Sequence, residues 1–136
     1  MNKFYIGQEQ TAQKVFTEED VRLFAQISGD DNPLHTDREY AQKSRFGAPV
    51  VHGILTAGLI SGILGTKLPG PGSIYLEQQL SFLQPVFVGD TVTAKVRITD
   101  IIAEKRIIVL ETTVSRQSGE CVVSGIAKIL YEGGAI

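Results

Sequence analysis

A chain of 136 residues, 43% hydrophobic and 21% charged, is sized for a single domain over 1–136 that buries about two thirds of its unfolded surface. Its formal net charge of −2 gives no electrostatic pull toward nucleic acid or an anionic membrane, and two histidines with one cysteine are too few for a zinc site of the usual kind. The lone cysteine, Cys121, excludes an internal disulfide, and its strand-like setting predicts a small buried hydrophobe.

The opening MNKFYIGQEQ lacks the basic-then-apolar pattern of a signal peptide, so a reducing cytoplasm is the expected compartment. Thr11 to Phe16 is short and reads as a strand or an extended arm. Thr17 opens a helix, because T-E-E-D sets a capping hydroxyl at the start and an acidic residue three positions later. Val21, Phe24, Ala25 and Ile27 or Ser28 then recur at helical spacing, and Gly29 ends the helix at the position where a left-handed residue is favoured. Asp30-Asp31-Asn32-Pro33-Leu34-His35 follows. Asn before Pro is extended or turn-forming, which predicts a fixed loop and not more helix. Asp37 caps a short helix through Tyr40 and Ala41, and Phe46-Gly47-Ala48-Pro49 is irregular.

Val50 to Leu68, VVHGILTAGLISGILGTKL, stays apolar or small on every side. A helix without a polar face has to be surrounded, and one spanning on the order of 25 Å can serve as the axis of a core. Gly53, Gly58, Gly62 and Gly65 each weaken it by roughly 1 kcal/mol against Ala, which predicts that other backbone passes very close. A membrane span is the rival, with Gly58 and Gly62 at the spacing of membrane helix dimers. His52, Thr56, Ser61, Thr66 and Lys67 argue against it, and no basic flank follows.

Pro69-Gly70-Pro71-Gly72 stops the helix, and the period changes to two. Ser73–Gln84, Thr91–Ile102, Arg106–Gln117 and Glu120–Tyr131 read as long strands rich in Val, Ile, Thr and Tyr. Short connections predict antiparallel neighbours in a meander. One apolar helix followed by a curved antiparallel sheet is α+β, with the sheet wrapped around the helix. Its edge strands need covering, and a homodimer joined edge to edge would cover them.

Asp30 or Asp31, Asn32 and His35 lie within six positions on a loop pinned by Pro33. A carboxylate and an imidazole on one rigid loop can share a water molecule, which general acid-base chemistry requires. The competing reading is that the aspartates form an Asx turn and His35 is an ordinary loop residue. Gly53 stands where the central helix begins, and the first N–H groups of a helix lack internal partners and can face a polarised oxygen. Relief of crowding against the sheet is an equal reading of this glycine. His52 reads as a packing or hydrogen-bonding residue. Together these parts suit addition of water to a double bond conjugated to a thioester, or hydrolysis of that thioester.

S-G-D-D-N-P-L-H, then F-G-A-P-V-V-H-G and later G-S-I-Y-L-E-Q-Q-L-S-F-L-Q-P-V-F-V-G-D-T-V, resembles the MaoC-like hot dog hydratases. Within that family the chain is most similar to the (R)-specific enoyl-CoA hydratases that feed polyhydroxyalkanoate synthesis. The resemblance runs from about Ile6 to Tyr131. It implies a hot dog fold, a cytoplasmic homodimer with an acyl-CoA thioester near the interface, no cofactor beyond the CoA of the substrate, no metal, and reversible syn hydration of trans-2-enoyl-CoA. It also implies that Asp30 activates water, that His35 shares this water, that Asn32 orders the loop, and that the N–H of Gly53 is the oxyanion donor. Ser61 and Leu64 match acyl-pocket positions. Asp31 fills the variable place in the motif, and spacing to His35 favours Asp30 over it.

Two alternatives remain at this point, an acyl-CoA thioesterase and a non-catalytic subunit of a heterodimeric acyl-thioester dehydratase. Arg38, Lys43, Arg45 and Lys67 are the candidate cations for the CoA phosphates.

Overall fold

Alternation of apolar and polar residues places Val92, Ala94, Val96 and Ile98 on the buried face of a strand, β3 (Thr91–Ile102), while Thr93, Lys95 and Arg97 point outward. The computed structural model, which describes residues 3–136, repeats this pattern along β4 (Ile107–Arg116), where Ile108, Leu110, Thr112 and Val114 are buried. The first two residues of the 1–136 assignment lie outside the described residues. With β1 (Glu9–Val15), β2 (Ser73–Phe82) and β5 (Cys121–Tyr131), these strands form an antiparallel sheet in the order β1-β3-β4-β5-β2.

The predicted meander holds for β3, β4 and β5 but not for β2, which pairs with β5 at the far edge and not with β3. The reason lies in the Leu83–Asp90 connection, which is too long for a hairpin turn and is occupied elsewhere. Val51 N–H donates to Val86 O at 2.7 Å, and Val50 bridges to Phe87. This connection therefore fastens the approach to the central helix.

Five-stranded curvature leaves one face for α4 (Gly53–Thr66), which touches every strand and buries Thr56, Ala57, Ile60, Ile63 and Leu64. The helix is shorter than the predicted Val50–Leu68, because Val50 and Val51 are held in extended pairing and His52 is the N-cap. It is also not enclosed. Ile54, Gly58, Ser61, Gly62 and Gly65 lie on an exposed side, since the sheet of one chain covers only the other side. A Cβ at Gly58, Gly62 or Gly65 would meet nothing within 4 Å, so the expected close backbone is absent there among the described residues. Gly53 alone of the four is crowded, and by the Phe82 ring at 2.7 Å. No helix among the described residues is long and apolar enough to cross a membrane.

The capping box at Thr17 forms as read. Asp20 N–H donates to the Thr17 hydroxyl at 3.1 Å and Thr17 N–H to the Asp20 carboxylate at 3.0 Å, starting α1 (Glu18–Ser28). Gly29 ends it with φ of 80°. Cys121, at the first position of β5, is half-buried rather than buried, because the strand has only just left the solvent-exposed turn at Ser118 and Gly119.

Candidate active site

The stretch predicted as loop contains a turn of helix, α2 (Pro33–Thr36). Asn32 is extended, as its place before Pro requires, but Pro33 at the first helical position needs no hydrogen-bond partner and starts the turn. The Asn32 Oδ1 accepts from Leu34 N–H at 3.0 Å and caps it. Asp37 then caps α3 (Arg38–Gln42), as read. Asp30 closes an Asx turn, its Oδ1 accepting from Asn32 N–H at 3.3 Å. Turn formation therefore does not compete with chemistry at Asp30, since it uses one carboxylate oxygen and leaves Oδ2.

His35 Nδ1 lies 2.7 Å from Val50 O. A carbonyl only accepts, so Nδ1 carries the hydrogen and the neutral ring presents a bare lone pair at Nε2. Beneath it, His52 is 2% exposed, with its ring stacked on His35 at 3.9 Å between centroids and Phe24 edge-on at 4.7 Å. Its Nε2–H donates to Asp30 O at 2.9 Å, which ties the loop to the start of α4, while Nδ1 has no partner among the described residues. His52 thus holds position by hydrogen bonding and packing.

A carboxylate oxygen of Asp30 and ring nitrogens of His35 and His52 all lie within 4.8 Å of one another. Two polar groups that far apart can be bridged by one water, since each hydrogen bond spans about 2.8 Å. Of the two aspartates, Asp30 joins this cluster, and Asp31 lies on the rim of a neighbouring cavity. The carboxylate and two imidazoles are ligand types for a metal, but His35 Nδ1 and His52 Nε2 are each engaged by a backbone carbonyl.

Two cavities lie near these residues, one touching His35 and the other touching Gly53, next to His52. One, about 570 Å³, lies among α1, α2 and α3 and is lined by Glu18, Arg22, Asp31, His35 and Arg38. The other, about 450 Å³, opens at the start of α4 and is lined by Arg45, Gly53, Thr56, Phe82 and Gln84. Gly53 N–H has no backbone acceptor among the described residues, and His52 offers no side-chain cap. His35 and Gly53 thus face different cavities, and a ligand touching both must cross the start of α4.

The remaining positions are dispersed. Ser61 is exposed and Leu64 is buried in the core against the sheet, and neither lines these cavities. Arg38 pairs with Glu18, Lys43 with Glu39 at 3.6 Å, and Lys67 donates to Thr11 O at 2.7 Å. Arg45 stands over the Phe46 ring, 5.4 Å from its centroid, with no carboxylate partner among the described residues. Sequence reasoning gave Thr56 and Phe82 no part here. Thr56 follows Gly53 by one turn, a spacing that was available as a signal.

Residues 4–119 match the model of the MaoC like domain. The chain belongs to the MaoC-like family. An (R)-specific enoyl-CoA hydratase of Rhodospirillum rubrum is 45% identical over 95% of this chain and 83% of its own length. One of Aeromonas caviae is 48% identical over 91% of this chain and 92% of its own. The solved (R)-hydratase of A. caviae, described as involved in PHA biosynthesis, superposes with a TM-score of 0.94 at 45% identity, covering 97% of this chain and all of that one. The MaoC-like sheet and helix are thus the hot dog arrangement the motifs implied.

Proposed function

We propose that this MaoC-like protein is an (R)-specific enoyl-CoA hydratase, a hydro-lyase that reversibly adds water to trans-2-enoyl-CoA to give (R)-3-hydroxyacyl-CoA. The observation that carries the reading is the one-water spacing of Asp30 and His35, on a loop clamped by His52 to the helix that presents Gly53. The water donates one hydrogen to Asp30 Oδ2 and the other to His35 Nε2. As its oxygen bonds the β-carbon, Asp30 takes a proton and the double-bond electrons move toward the thioester oxygen. The N–H of Gly53 and the positive end of α4 stabilise that developing charge. The electrons return to the α-carbon, which receives a proton from the same acid-base pair. The hydroxyl and the proton therefore arrive on one face, which is syn addition. Asn32 keeps the loop in shape through its cap to Leu34.

The chemistry is acid-base and draws on no redox group; CoA is part of the substrate. Arg45 is the cation best placed for the CoA phosphates, because the other three candidates already have partners. Ser61, about 12 Å along α4 from Gly53 at 1.5 Å per residue, suits an acyl chain laid along the open side of the helix, with Leu64 beneath. We place the protein in the cytoplasm as a homodimer. What supports the dimer is the edge strand β2 and its end, where Ile74, Leu76, Phe82 and Leu83 are exposed, beside the open side of α4.

The test is the absorbance of crotonyl-CoA with purified protein, with the product coupled to a stereospecific 3-hydroxyacyl-CoA dehydrogenase. Loss of the conjugated absorbance, formation of the (R)-alcohol and no free CoA are expected. Free CoA without alcohol would establish the thioesterase instead, and a folded dimer inactive on crotonyl-, octenoyl- and carrier-protein-linked enoyl substrates would overturn the hydratase.

A further inference from the structure

Serine and threonine hydroxyls inside helices ordinarily bond the carbonyl four residues back. Ser28 Oγ does so to Phe24 O at 2.6 Å, and on α4 itself Thr66 Oγ1 does so to Gly62 O at 2.7 Å. Thr56 departs from the rule. Its residue is 1% exposed, yet Oγ1 has no partner among the described residues. The other buried threonine, Thr112, is satisfied by Gln78 Nε2 at 3.0 Å.

A buried hydroxyl without a bond loses its hydration uncompensated, a cost that a functional role can account for. Thr56 lines the cavity of about 450 Å³ together with Gly53. Helical side chains lean toward the N-terminus and cover the preceding turn, so a residue three positions after Gly53 lays its side chain over the turn that begins at that glycine. Gly53 carries no side chain, and the Phe82 ring packs against the place one would take. The residues lining one cavity therefore include a backbone N–H and a side-chain O–H that both lack acceptors among the described residues, and that lining contains no carboxylate.

We infer that the Thr56 hydroxyl is a second donor to the thioester oxygen, acting beside the N–H of Gly53 as charge develops there. This deepens the hydratase reading and rests on it. A donor aimed at an oxygen that becomes anionic acts more strongly in the transition state than in the bound substrate, so its removal is read in kcat rather than KM.

The experiment compares Thr56→Val, which keeps the shape and loses the hydroxyl, with Thr56→Ser, which keeps the hydroxyl, using crotonyl-CoA. The expected result is a fall in kcat of about 10- to 100-fold for Thr56→Val with KM within about threefold, and near-recovery in Thr56→Ser. The melting temperature of Thr56→Val should equal or exceed that of the unchanged protein, since an unsatisfied polar group has left the core. A kcat within twofold in Thr56→Val would overturn the inference. If Thr56→Val does not fold, Thr56→Ala against Thr56→Ser decides on the same kcat ratio. Inactivity of the unchanged protein on every enoyl thioester would instead remove the hydratase reading, a distinct failure.

Discussion

In the cavity among α1, α2 and α3, Arg38 pairs with Glu18, and Arg22 binds Glu19 with Nε to the carboxylate at 2.9 Å. In the cavity at the start of α4, Arg45 meets no carboxylate and Thr56 Oγ1 and Gly53 N–H meet no acceptor among the described residues. The first is the larger, about 570 Å³ against 450 Å³. Volume therefore points to one place and unsatisfied donors to the other. The Arg22 guanidinium, hydrogen-bonded to Glu19, already holds that carboxyl below its usual range, so this cation is committed within the chain. Donors left over are the better guide to where a ligand with an oxygen and phosphates belongs. His35 of the Asp30 cluster lines the first cavity, and His52 of the same cluster immediately precedes Gly53 of the second.

The largest expected effects come from that cluster. Asp30→Asn keeps the Oδ1 acceptor for Asn32 N–H and removes the base. His35→Asn keeps a donor near Val50 O and removes Nε2. Each should lower kcat by about 10²- to 10⁴-fold while circular dichroism and melting stay close to those of the unchanged protein. Near-normal turnover in both would mean the cluster only shapes the loop.

Much of this was readable beforehand where one local rule decides. The capping box at Thr17, the left-handed Gly29 and the extended Asn32 before Pro33 each follow from a few adjacent residues. Along β3 and β4 the buried face follows from period-two alternation. What was not readable depends on distant pairing. The place of β2 beside β5 is set by a connection that pairs with Val50 and Val51, and no local pattern in Ser73–Phe82 records it. The reading of α4 as enclosed failed because hydropathy records that a side must be covered, not whether the same chain covers it. Of the site, the identity of the groups was legible. The hydrogen bond from His52 to Asp30 O and the idle hydroxyl of Thr56 were not, since each depends on a rotamer and on backbone brought together from elsewhere.

Arg45 carries an intermediate effect that bears directly on the contrast. Arg45→Ala should raise KM for crotonyl-CoA by about 3- to 10-fold with kcat little changed, because a phosphate contact far from the reacting carbons adds binding but not transition-state stabilisation. The difference from the unchanged protein should shrink as salt rises, since an exposed charge contact is screened. A change confined to kcat, or one indifferent to salt, would remove Arg45 from phosphate recognition.

The smallest effect belongs to the larger cavity. Arg38 and Glu18 are 68% and 65% exposed, so their ion pair contributes about 0.2–1 kcal/mol at most. Arg38→Ala should therefore lower stability by less than about 1 kcal/mol and leave KM for crotonyl-CoA within about twofold, because a cation already paired has little attraction left for a phosphate. Measured beside Arg45→Ala, it decides which side of the cluster receives the CoA. If Arg38→Ala raised KM as much as Arg45→Ala did, the Glu18 pair would have to open when substrate binds, and the phosphates would lie along α1 and α3. If Arg38→Ala alone raised KM, the partnered cavity would be the CoA site and leftover donors would be a poor guide in this protein.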